Sequence, residues 1–165
     1  MDTISRMGGK LQKLKAVLLE LPTPLLIGLG LLLLFVATLP SVVSVLLYPD
    51  SQIGGPDWNK KQIWRVILWG CLLGPLLETA VHQWACLRVL EKFGVKAMLA
   101  IALSSFGFGV AHYYSAAYML TAFFSGVVLA TVFVIERKRR GYPFLATLAV
   151  HALKNWIASS YLLLM

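Results

Sequence analysis

Residues 24–47 read PLLIGLGLLLLFVATLPSVVSVLL, a run of 24 positions without one charged side chain. A transmembrane helix needs about 20 predominantly apolar residues to cross a hydrocarbon core about 30 Å thick. This run is long enough. Pro40 within it predicts a kink, because proline removes a backbone donor and crowds the preceding turn. The chain around it has the same character: 165 residues, 59% hydrophobic and 13% charged, with a mean hydropathy of +0.77. A soluble domain is about 25% charged. The 15 Lys+Arg and 7 Asp+Glu residues are bunched between apolar runs rather than spread over a wet surface. That excludes a disordered chain, a disulfide-framed secreted module and a conventional soluble enzyme. The expected fold class is all-α, a polytopic transmembrane helical bundle.

Outward from this run the segments follow in order. Residues 1–21 carry Arg6, Lys10, Lys13 and Lys15, with Leu11, Leu14, Leu18 and Leu21 at helical spacing. They read as a basic amphipathic helix on the membrane surface. Pro22 and Pro24 break the chain, and residues 22–165 form a single transmembrane domain. After the first span, residues 48–62 are rich in turn formers such as Pro49, Gly54, Gly55 and Pro56. Further apolar segments run over about 63–90, 96–114, 117–135 and 143 to the C-terminus, with 136–141 as a charged interruption. This gives five spans, with no internal repeat. Cys71 and Cys86 share one apolar segment and read as packing residues.

The net charge of +8 does not point to nucleic acid, because the basic residues sit at the ends of apolar segments, as topology signals do. With the N-terminus in the cytoplasm, Arg6, Lys10, Lys13, Lys15, Arg88, Lys92, Lys96, Arg137, Lys138, Arg139 and Arg140 all fall on the cytoplasmic side. Tyr48, Trp58, Trp64, Tyr113 and Tyr142 stand near segment ends, where interfacial aromatics belong. A short chain with few accessory spans and no large soluble domain is expected in the cytoplasmic (inner) membrane of a prokaryote.

The informative residues are polar ones inside the apolar segments. Six of the seven acids lie in loops or near segment ends, and only Glu78 sits well inside one. His82, His112, His151 and Asn155 are also placed within spans. An ionisable group in hydrocarbon costs about 2.5–3.5 kcal/mol on insertion scales, so it marks a functional site by default. The bland reading is that such groups pair with each other and hold the bundle together. At about 1.5 Å per residue, Glu78, His112, His151 and Asn155 fall roughly 12–24 Å from the basic ends of their segments. They therefore share one slab. His151 and Asn155 are four residues apart and face the same way, as do Phe108 and His112. A carboxylate and an imidazole suit the deprotonation of water, and donors on one helix face suit an oxyanion. No Gly-x-Ser-x-Gly nucleophile, His-Glu-x-x-His zinc helix or phosphate loop occurs in the sequence.

Three motifs in order carry a resemblance over about residues 74–155. They are Glu78-Thr79-Ala80-Val81-His82-Gln83 after Pro75, Phe108 to His112, and His151 to Asn155. Together they resemble the CAAX protease and bacteriocin-processing family of intramembrane glutamic endopeptidases. The resemblance implies that Glu78 and His112 activate water, that His151 and Asn155 form the oxyanion hole, and that no metal or other cofactor is needed. Thr79 and Gln83 stand where the family usually has Glu and Arg. They are expected to keep a hydrogen-bonding pair one turn apart, while Phe108 and His82 take supporting places. The substrate class implied is a membrane-anchored protein or peptide met in the lipid bilayer. Two other readings use the same residues: a zinc site of Glu78, His82, His112 and His151, and a non-enzymatic proton-coupled carrier or immunity-type membrane protein.

Overall fold

The computed structural model describes residues 12–14, 16–48 and 63–164, and all regular structure among them is helical. Six helices carry the fold. They are α1 Thr23–Ala37 and α2 Leu39–Leu47, α3 Ile63–Lys92, α4 Ala97–Ala111, α5 Ala116–Lys138 and α6 Pro143–Leu164. Of the expected turn-rich stretch 48–62 only Tyr48 is described; residues 49–62 and the first eleven residues lie outside the described residues. Within the proposed surface helix, residues 12–14 and 16–20 are helical. Leu18 and Leu19 pack on the core, whereas Leu14 and Val17 are exposed. The break between α1 and α2 falls at Thr38, two residues ahead of Pro40, and Thr38 N–H turns back to the Phe35 carbonyl.

Among the described residues three helical stretches are long and apolar enough to cross a membrane: Thr23–Leu47, Ile63–Lys92 and Ala116–Lys138. The other two expected spans fall short for different reasons. α4 has 15 residues and a length of about 22 Å. α6 is long enough, but His151, Lys154 and Asn155 interrupt its apolar character. The molecule is an all-α, polytopic integral membrane bundle. Its outward side chains agree with this: Leu32, Leu46, Phe93, Met98 and Phe106 are all largely exposed, a surface that only hydrocarbon would cover at low cost.

α5 is the central helix. Leu129, Val132 and Ile135 on it pack with Leu26 and Leu34 of α1, Phe108 of α4, and Ala146 and Val150 of α6. α4 and α5 form a tight hairpin. A Cβ at Gly126 would approach the Ser105 backbone to 3.0 Å, so glycine is what lets these two helices meet.

The charged interruption begins later than its sequence suggests. Glu136 is not in the loop but in the last turn of α5, fully buried, where the connection demands a carboxylate. Its Oε1 accepts from Arg139, and its Oε2 accepts from the Tyr142 N–H at 3.1 Å. Arg139 also donates to the Leu21 carbonyl and to Thr23 Oγ1. One buried acid thus joins the end of α5, the start of α6 and the start of α1. The turn closes with Arg140 at positive φ, Gly141 N–H on the Glu136 carbonyl and Arg140 N–H on the Arg137 carbonyl, which is the Schellman arrangement.

Removing one partner of a buried charge pair costs about 3–5 kcal/mol, because the other charge is left uncompensated. Glu136→Leu is therefore expected to lower the thermal unfolding midpoint in detergent sharply. Arg140→Gly, which relieves a positive φ, should leave it unchanged or raise it. An unchanged midpoint for Glu136→Leu would show that the connection does not depend on this acid.

Candidate active site

The geometry of the site starts with the winding of α3. Val66–Leu73 and Thr79–Cys86 are wound as π-helix, and the α-helical turn Gly74–Glu78 lies between them. π segments inside α-helices occur frequently at functional sites. In the first of them the Gly74 N–H bonds the Trp69 carbonyl, five residues back. The next residue in that register is Pro75, which has no N–H, so the Gly70 carbonyl loses its partner. Asn155 of α6 supplies one: its Nδ2 donates to the Gly70 carbonyl at 2.8 Å. Such rescue by a neighbouring helix is how prolines are tolerated in membrane spans. Glycine at 74 fits the same constraint, since a methyl there would collide with the Trp69 carbonyl.

This winding presents Glu78 to two imidazoles. Glu78 Oε2 lies 3.5 Å from His151 Nε2 and 3.7 Å from His112 Nε2. His112 is the first residue past α4 rather than part of a span, because its backbone (φ −104°, ψ 46°) leaves the helix. Its Nδ1 sits 2.7 Å from the Phe108 carbonyl. A carbonyl only accepts, so Nδ1 carries the proton, and Nε2 of the neutral ring is left as an acceptor facing Glu78. His151 Nδ1 lies 3.4 Å from the buried Thr79 hydroxyl. Phe108 is the common neighbour, with ring centroids 4.5 Å from His112, 5.8 Å from His151 and 5.3 Å from His82.

Glu78, His112, His151 and Asn155 line one cavity of about 620 Å³, which also touches Gly70, Gly74, Tyr118 and Thr121. Several of the expected supporting contacts differ. His82 does not line this cavity; its ring stands edge-on to Phe108, above Gly107. The four-residue zinc set therefore does not assemble. Among the described residues no group of three or more His, Cys, Asp or Glu side chains is placed to hold a metal ion. Thr79 and Gln83 do not form a pair. Gln83 is fully buried with neither amide atom hydrogen-bonded among the described residues. The cause is the π winding of Thr79–Cys86, in which the hydrogen-bonded neighbour stands five residues on rather than four.

Lys154 lines the same cavity and is absent from the candidates read off the sequence. An ionisable group inside an apolar segment carries the same signal as Glu78, but Lys154 sits between the two residues of a motif and is easily passed over. Its ammonium makes no hydrogen bond or ion pair among the described residues.

Comparison with protein families gives a match. The family model described as type II CAAX prenyl endopeptidase Rce1-like covers residues 60–157, well over half of the chain. No curated protein and no solved structure matches it.

The Asn155 tether can be measured without reference to catalysis. A hydrogen bond to this half-buried carbonyl contributes about 0.5–1.5 kcal/mol. Asn155→Leu should thus lower the unfolding midpoint measurably, while Asn155→Gln should recover part of the loss. Equal stability of wild type and Asn155→Leu would remove the tether from the account of α3.

Proposed function

The chain belongs to the Rce1-like type II CAAX prenyl endopeptidase family, and from this premise we propose that it is a glutamic-type intramembrane endopeptidase using the cavity around Glu78. The observation that carries this reading is the position of one carboxylate oxygen, 3.7 Å and 3.5 Å from two imidazoles at the wall of a cavity large enough for a peptide. In this mechanism a water molecule lies between Glu78 Oε2 and His112 Nε2. As its oxygen bonds to the scissile carbonyl carbon, its proton passes to the Glu78–His112 pair and the carbonyl π electrons become an oxyanion. The proton then moves to the amide nitrogen, the C–N bond breaks, and a carboxylic acid and an amine leave.

Donors for the oxyanion come from α6. His151 Nε2 is one, oriented through its other nitrogen by Thr79. Asn155 is the second, since an amide has two N–H groups and one of them suffices for Gly70. Lys154 adds a positive charge where negative charge develops, an effect that low dielectric strengthens. The substrate in this reading is a membrane-anchored protein or peptide, with a prenylated tail as the first candidate from the family's name. The cavity is lined by the first half of α5 and the far half of α6, away from the end where Lys92, Lys96 and Arg137–Arg140 gather. With the N-terminus cytoplasmic it faces the opposite side of the membrane, and a cysteine placed at Tyr113 should then react with an impermeant maleimide added from that side only.

The test is cleavage of membrane-anchored peptides, prenylated ones among them, by the purified protein in lipid. Glu78→Gln and His112→Ala are each expected to lower kcat by about 10²–10⁴. Lys154→Met should lower it by about 10–10² with little change in KM. His82→Leu should retain activity within a few-fold, and exhaustive chelation should leave the rate untouched. Full activity of Glu78→Gln would sink the mechanism. Loss on chelation with recovery on adding zinc would replace it with a metal hydrolase.

A further inference from the structure

Away from the Glu78 cavity, a second hollow of about 270 Å³ lies where the ends of α3 and α5 meet the start of α4. Its floor is apolar. Leu87, Ala100 and Phe133 there are buried members of a separate core cluster, with Val95 and Val134 packed beside them. The hollow is thus a notch in packed protein, not a flat patch. Its rim is charged, carrying Glu91, Arg137 and Lys138.

Arg137 spends Nη2 on Glu91. Its Nη1 is buried and has no hydrogen-bond partner among the described residues. A buried donor left unmade costs about 1–3 kcal/mol, and more when it is charged, so this nitrogen calls for an acceptor. Lys138 is exposed on the same rim, and Lys92 at the end of α3 and Lys96 on the connection after it are exposed beside it. Beside the hollow, Phe93 (78%) and Met98 (84%) are among the most exposed apolar side chains of the molecule. The notch therefore opens where the hydrocarbon-facing surface meets the basic end of the bundle.

We propose that this hollow binds an anionic phospholipid. The headgroup phosphate sits on Arg137 Nη1 and Lys138, and the first carbons of an acyl chain lie along Val95, Ala97, Ala100 and Val134. Basic pockets between membrane helices take acidic headgroups for the same reason. The apolar floor favours a lipid over a free anion, because a phosphate ion alone would leave that floor uncovered. The position at the boundary between hydrocarbon and basic surface favours a lipid over a soluble acidic peptide. The Arg137–Glu91 pair is neutral as a unit, so the net positive charge that draws the headgroup comes from Lys138, with Lys92 and Lys96 nearby.

The site is tested on the full chain in nanodiscs of phosphatidylcholine, with and without phosphatidylglycerol. Lipid retained after extraction into detergent is counted by native mass spectrometry, alongside the thermal midpoint. The wild type should retain phosphatidylglycerol in preference to phosphatidylcholine, with a higher midpoint in its presence. Ala100→Phe fills the floor without changing any charge. Arg137→Lys keeps the charge for Glu91 and gives up Nη1. Each should weaken retention by tenfold or more and abolish the midpoint shift. Should Ala100→Phe fold poorly, Arg137→Lys with Lys138→Gln carries the same test. Retention by Arg137→Lys equal to wild type would overturn the proposal. So would equal retention of the two lipids, or a midpoint shift matched by inorganic phosphate or by a poly-glutamate peptide.

Discussion

A proline cannot donate a backbone hydrogen bond, and in a membrane span the carbonyl it leaves unpaired takes a partner from a neighbouring helix. Much of the organisation of this bundle follows from that constraint at Pro75. The Gly70 carbonyl is left without a backbone partner in the π-wound start of α3 and is taken by the Asn155 side chain. That bond sets α6 against α3 at a fixed height. His151, one turn earlier on α6, is thereby brought level with Glu78, only a few residues past the proline. The backbone defect and the polar cluster are one arrangement: satisfying the first positions the second.

Charge is distributed on the same logic. Among the described residues two acids are drawn into the protein. Glu136 is matched at once by Arg139 and a backbone N–H, and its pairing closes the end of the bundle. Glu78 has only imidazoles nearby, at distances longer than a good hydrogen bond, and a lysine that does not touch it. A fully paired carboxylate is a structural joint, whereas an incompletely paired one at the wall of a cavity has capacity left for water and substrate.

Segment order, the helical class and the three motif positions were legible in the sequence, because apolar run length and isolated polar residues are local signals. What could not be read there is non-local. Nothing in Thr79-Ala80-Val81-His82-Gln83 announces a π winding, so the expected Thr79–Gln83 contact dissolves and Thr79 turns to His151 instead. Glu136 looks like part of a charged loop until the Schellman turn after it is seen to fold a backbone N–H and an arginine onto it. Asn155 reads as a catalytic donor from its spacing to His151. The bond it makes to Gly70 depends on a proline eighty positions away in the chain. Lys154, by contrast, was within reach of the rule that singled out Glu78.

The shortness of α4 has a consequence for the surrounding membrane. Fifteen residues span about 22 Å, some 8 Å less than an average hydrocarbon core. Such a mismatch is met by local thinning of the bilayer, at fractions of a kcal/mol per Å. α4 delivers His112 at its end, so thinning at this helix draws the aqueous interface toward Glu78. In the proposed hydrolysis the lipid phase would then act as part of the water supply of the site, with acyl chain length setting how far that water must travel.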